Sequence, residues 1–214
     1  MRYLIFLFLA FGFFSCSPQP PVEVNGYIMV EAEDYRIQNL DVIRRWVRID
    51  GRTTTEGADP DPDHHRTASG GAYLEALPDT RVTHDDELIP GTNFSNEPGK
   101  MAVLNYPIEF TTPGRYYVWV RAYSTGSEDN GIHVGLNGEW PASGQRLQWC
   151  EGKNAWTWES KQRTQEVHCG EPKLIYLDIP EKGIHTISFS LREDGFEFDA
   201  FVLEQAYEQP GERP

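Results

Sequence analysis

The segment RYYVWVRAY, residues 115–123, alternates without a break: Tyr116, Val118, Val120 and Ala122 fall on one side of an extended chain, and Tyr117, Trp119, Arg121 and Tyr123 on the other. A helix would scatter these two sets around its circumference, whereas a strand, with its side-chain period of two, gives each set a face. The pattern recurs. In YIMVEAEDY, Ile28, Val30 and Ala32 oppose Met29, Glu31 and Glu33, and HTISFSLRE puts Ile187, Phe189 and Leu191 on one apolar face. KLIYLDI and GFEFDAFVLE read as further strands, and Asn137-Gly138 within GIHVGLNGEW is a hairpin signal. Only NLDVIRRWV, 39–47, has a helical look. Many short strands at this spacing predict an all-β antiparallel sandwich with jelly-roll connections. In that frame Trp119, mid-strand, is expected in the core.

The N-terminus MRYLIFLFLAFGFFSC has one early cation, Arg2, and then an apolar run from Tyr3 to Phe14. The run is too short for a mature bilayer span, which needs about 20 residues. It fits the apolar region of a cleaved export signal. FFSC resembles a bacterial lipobox, which implies that Cys16 becomes the lipidated first residue. The expected division is a signal at 1–15, lipidated Cys16 with a Pro-rich tether over 16–26, the sandwich over 27–206 and a polar tail at 207–214. A chain so processed sits at the bacterial cell envelope, joined to the outer membrane through its lipid and facing either the periplasm or the surface.

Export also decides how the cysteines are used, because exported chains form disulfides and cytosolic ones rarely do. The chain has three cysteines. With Cys16 lipidated, Cys150 and Cys169 are the pair that remains, closing the loop CEGKNAWTWESKQRTQEVHC. A zinc site is the weaker alternative, since His168 adjoins Cys169 but no C-x-x-C accompanies it. The formal charge of −14 argues against nucleic acid, whose phosphates require clustered Lys and Arg. Six Trp and ten Tyr are core residues or stacking platforms for apolar ring faces.

The ordered set VEAEDY, GGAYLEAL, YPIEFTTPGRYYVWVRAYS and DGFEFDAFVLE resembles carbohydrate-binding modules of families 6 and 35, which are galactose-binding-like sandwiches. It resembles still more closely the C-terminal domain that accompanies glycoside hydrolase family 115 enzymes. The likeness runs from about Val30 to Glu204. It implies a structural Ca²⁺ held by Glu31, Glu33 and Asp199. The chemistry suits such an ion, which takes six to eight oxygens, and period two places Glu31 and Glu33 on one face about 7 Å apart. The alternative is that both glutamates simply face solvent.

The same resemblance implies a sugar-binding cleft in which Tyr73 of GGAYLEA and Trp156 of NAWTW sandwich a ring. Glu197 of GFEFD, where the family usually has Asn, hydrogen-bonds it. An ionised Glu197 would accept from hydroxyls and disfavour anionic groups. Trp158 shares a face with Trp156, so one is expected to touch ligand or to back the other; Trp149 either touches ligand or covers the disulfide. Each aromatic contact is worth roughly 1 kcal/mol, so affinities on the order of 10 to 1000 μM are expected.

Two loops carry an enzymatic alternative. DPDPDHHRTASGG, 59–71, gathers Asp59, Asp61, Asp63, His64 and His65; THDDELIPGTNFSNEPG, 83–99, adds His84, Asp85, Asp86 and Glu87. Either brings His beside carboxylates, as a polysaccharide lyase or hydrolase would require. Neither has a spaced metal motif, and Pro and Gly mark exposed turns. A third possibility is a lipoprotein that docks another envelope protein through an apolar surface. The expectation carried forward is a monomeric, lipid-anchored, non-catalytic module that holds a plant or algal polysaccharide.

Overall fold

The computed structural model describes residues 19–39, 43–55 and 57–211; the expected signal 1–15 and lipidated Cys16 lie outside the described residues. In chain order the strands are β1 (Tyr27–Glu31), β2 (Ile37–Asn39), β3 (Arg45–Ile49), β4 (Tyr73–Leu77) and β5 (Val103–Phe110). They continue as β6 (Gly114–Tyr123), β7 (Gly131–Leu136), β8 (Leu147–Gln148), β9 (Trp156–Glu159) and β10 (Lys161–Gln162). The last are β11 (Glu171–Pro172), β12 (Tyr176–Ile179), β13 (Gly183–Leu191) and β14 (Glu197–Glu204). One sheet runs β12-β6-β14-β4-β3, with β1 added along β14 and β9 along β6; the other runs β11-β10-β8-β7-β13-β5-β2. The long pairings are antiparallel. The protein is thus the expected all-β sandwich of jelly-roll, galactose-binding-like type.

The alternating residues of β6 and β13 are where period two puts them, whereas in YIMVEAEDY the strand ends at Glu31 and Ala32–Asp34 form a 3-10 turn, so Glu31 and Glu33 do not share a strand face as expected. Tyr116, Val118, Val120 and Ala122 are fully buried between the sheets, as are Ile187, Phe189 and Leu191. Phe189 of one sheet meets Phe198 and Phe201 of the other at 4.9 Å between ring centroids, within the range of favourable aromatic pairs. Asn137 and Gly138 have φ of 52° and 83°. Leu136 and Glu139 exchange two backbone hydrogen bonds of 2.9 Å across them, closing a tight hairpin between β7 and the next segment.

Two further expectations are corrected. The helical look of 39–47 comes from apolar residues three and four apart, but the chain is extended over Arg45–Ile49. There β3 pairs along all of β4, and Trp46 is buried with its indole N–H donating to the Ala102 carbonyl at 2.6 Å. The long-range ladder outweighs a weak local periodicity. Trp119 is buried, yet on the outer face of its sheet. It is covered by Tyr207 of the C-terminal segment, whose ring lies 5.0 Å away.

A bulge in β14 aims one functional side chain. Phe198 pairs with Ala122 and Ala200 with Arg121, so Asp199 is the extra residue. Such an insertion redirects side chains. It lets Phe198 and Phe201, three apart, both enter the core while Asp199 turns toward Arg121.

Candidate functional site

β9 is a four-residue strand whose one partner is the end of β6, with Trp156 opposite Tyr123 and Trp158 opposite Arg121. Residues directly opposite in an antiparallel pair share a face. Trp156, Trp158, Arg121 and Tyr123 therefore all stand on the outer face of the sheet. Both indoles are half-buried. They line a groove of about 590 Å³ with Met29, Thr67, Ser69 and Arg121, and the segment 209–211 forms one wall.

Trp156 is held from behind. Its ring meets Tyr73 at 5.2 Å and Tyr123 at 5.4 Å, both edge-on, and its indole N–H donates to Thr67 Oγ1 at 3.2 Å. The Arg121 guanidinium lies 5.6 Å from the same ring, within cation–π range. Arg121 also pairs with Asp199, which is fully buried while the arginine side chain keeps 23% of its surface exposed. The groove is thus lined by two half-buried indoles and a guanidinium, a planar fork of five N–H donors.

Asp199 accepts a second bond from the Ser69 N–H at 2.8 Å, and the Ser69 hydroxyl donates to Glu31 Oε1 at 2.8 Å. Glu31 Oε2 and Glu33 Oε2 are buried without a hydrogen-bond partner. Burial, with Glu31 and Asp199 adding like charge, pushes Glu33 up to about 7; burial pushes Asp199 up to about 6 despite Arg121. Among the described residues no group of three His, Cys, Asp or Glu side chains is placed to hold a metal ion. Two of the three expected calcium residues therefore bring an unpaired oxygen. Asp199 does not, because the bulge gives it to a cation already present.

Three of the expected ligand contacts are corrected by burial. Tyr73 is 0% exposed, packed with Ile49 and Leu77 behind Trp156, so it supports the platform and offers no ring face. Trp149 is 1% exposed and packs on Phe196 at 5.2 Å, in the core. Glu197 is 1% exposed, with both carboxyl oxygens within 3.0 Å of His64 Nδ1. Burial pushes Glu197 up to about 10 and lowers His64, and both carboxyl oxygens are turned to that imidazole, so Glu197 is not an acceptor offered to a sugar. His64 in turn stacks on Tyr123 at 3.7 Å. Trp156 and Trp158 keep accessible surface. Arg121, Met29, Thr67 and Ser69 were not anticipated; Arg121 lay in the outward half of RYYVWVRAY, but only the non-local pairing of β6 with β9 sets it beside Trp158.

The two His/Asp loops are largely consumed by their own bonding. His65 binds Asp63, Asp61 accepts from Thr125 Oγ1 at 3.0 Å, and Asp86 accepts from Thr83. His84 and Arg81 both reach Glu128. Cys150 and Cys169 are joined, with Cα atoms 5.3 Å apart, and the bridge closes the segment that carries β9.

A family model described as the glycosyl hydrolase family 115 C-terminal domain matches residues 22–208. An uncharacterised protein of Formosa agariphila is 59% identical over 182 residues, which are 85% of this chain and 44% of that protein. The chain therefore spans less than half the length of that relative. Among solved structures, a family 35 carbohydrate binding module from Clostridium thermocellum covers 84% of this chain and 98% of its own, at 12% identity and a TM-score of 0.46. A CBM35 from Paenibacillus barcinonensis covers 84% and 99%, at 14% identity and a TM-score of 0.44.

Proposed function

Since this chain belongs to the family of glycosyl hydrolase family 115 C-terminal domains, we propose that it is a non-catalytic carbohydrate-binding module whose site is the groove of Trp156 and Trp158. The observation that carries this is the pair of half-buried indoles on one face of β9, beside a guanidinium with donors to spare. A pyranose offers an apolar face to an indole and a rim of hydroxyls to polar neighbours. Trp156 and Trp158 would stack, while Arg121, Thr67 and Ser69 would hydrogen-bond the rim. Because Glu197 is buried against His64 and does not reach the groove, it places no bar on the charge of the glycan.

The partner is a plant or algal polysaccharide, and lipidated Cys16 would hold the module, as a monomer, at the bacterial cell envelope. Affinity electrophoresis through gels of plant and algal polysaccharides tests this. Retardation with no release of reducing ends or unsaturated products is expected; product release would overturn it in favour of a lyase or hydrolase.

A structural calcium would be held by Glu31 and Glu33, whose unpaired oxygens are the feature that favours it. Bound there, it would neutralise two carboxylates at the junction of β1 with the turn after it. Chelation with EDTA should lower the melting temperature, and added Ca²⁺ should restore it. An unchanged transition would count against the ion.

A further inference from the structure

The outward face of β6 carries Tyr117, Trp119, Arg121 and Tyr123 in one row, and Trp119 alone of the four is buried, at 6% exposure. The core does not bury it, since it points away from the other sheet. Tyr207 packs against it, its ring 5.0 Å from Trp119 at a tilt of 36° and edge-on to Tyr117 at 5.0 Å. The segment is anchored on both sides of that ring: the Gln205 N–H donates to the Gly26 carbonyl at 2.9 Å and the Glu208 N–H to Glu204 Oε1 at 3.1 Å. It then reaches the groove, where Gln209, Pro210 and Gly211 stand with Met29 and Trp158.

Register places Trp119 as the next step of the same track. Val202 pairs with both Trp119 and Met29, so the three form one cross-strand row, and Met29 already lines the groove. Trp119 lies one strand period, about 7 Å, beyond Arg121. We propose that residues 207–211 form a strap that masks a further sugar subsite at Trp119, and so sets how long an oligosaccharide the groove accepts. The ligand class is an uncapped run of pyranose units longer than a disaccharide. The proposal rests on the carbohydrate-binding reading above.

Tyr207→Ala removes the mask, and Tyr207→Phe keeps it as a control. Acrylamide quenching of the full chain, with and without Trp119→Phe to isolate that indole, reads whether Trp119 is uncovered, independently of any glycan. Calorimetry with cello-, xylo-, manno- and galacto-oligosaccharides of two to six units reads the footprint. Tyr207→Ala should expose Trp119 to quencher and raise the ratio of hexasaccharide to disaccharide affinity about fivefold, the value of one aromatic contact, while Tyr207→Phe stays near wild type. Unchanged quenching, or exposure with an unchanged ratio in a protein whose wild type binds, overturns the strap. If neither protein binds any of the oligosaccharides, the carbohydrate reading falls and the proposal falls with it.

Discussion

Glu75→Gln should raise the melting temperature at pH 8 by more than about 5 °C and reduce by about half the fall in stability between pH 5.5 and 8.5, Glu197 supplying the other half. Glu75 of β4 stands directly opposite Glu197 of β14, the two are 2% and 1% exposed, and Glu75 Oε2 has no hydrogen-bond partner. Burial pushes Glu75 up to about 10, and the neighbours that add to it, Asp59, Glu197, Asp79 and Asp61, are all acids. Like charges directly opposite on paired strands repel.

The sign follows from proton binding. Below about 4.5 both folded and unfolded chains carry the proton, and the buried acid costs nothing. As pH rises, the unfolded chain releases its proton while the folded one keeps it until about 10. Stability is therefore lost with rising pH, by up to about 1.4 kcal/mol per unit for each such group. A glutamine has the shape of the protonated acid and does not titrate. With about 2–4 °C per kcal/mol in a domain of this size, even a fraction of that slope is measurable. Glu197, also pushed up to about 10 by burial, would keep its own share of the slope, and Asp79, pushed up to about 7, would add a residual dependence below that pH. A Glu75→Gln protein with the wild-type pH profile would show that Glu75 ionises as an exposed acid does.

Breaking the Cys150–Cys169 bridge should lower the melting temperature by about 6–12 °C and weaken glycan retention more than stability alone explains. The bridge spans a sequence separation of 19. Loops of this size stabilise a fold by roughly 3 kcal/mol in the chain-entropy account, and the temperature follows from the size scaling. The bridged segment holds β9, a four-residue strand paired on one side. Loosening its ends should blur the spacing of Trp156 and Trp158 before the sandwich melts. Circular dichroism of Cys150→Ser/Cys169→Ser, alongside affinity electrophoresis at 20 °C, reads both. Wild-type retention in that variant would mean that the β6 ladder alone positions the indoles.

Much of the sandwich was legible because period two is a local signal. RYYVWVRAY, HTISFSLRE and the Asn137-Gly138 turn each specify their conformation within ten residues, and the fold agrees with all three. NLDVIRRWV misled because Ile43, Trp46 and Val47 stand three and four apart, which is helical spacing, although the chain from Arg45 on is a strand. The site was legible only in part. Trp156 and Trp158 could be found because two aromatics two apart on a strand share a face. Tyr73, Trp149 and Glu197 could not be told from groove residues, since burial depends on what folds over them from distant parts of the chain. Arg121 was hidden for a related reason: its groove role depends on the register of β9 and on the bulge that brings Asp199 to it. Tyr207, in an apparently polar tail, gave no local sign that it would cover Trp119.

The groove is tested most directly by affinity electrophoresis of Trp158→Ala against wild type, in whichever plant or algal polysaccharide gel retards the wild-type protein. Trp158 lines the groove without taking part in the Tyr73–Trp156–Tyr123 cluster behind it. Its removal should therefore weaken binding about fivefold, the value of one aromatic contact, and reduce retardation accordingly, while leaving the melting temperature within about 2 °C. Full retardation of a folded Trp158→Ala protein would contradict the account.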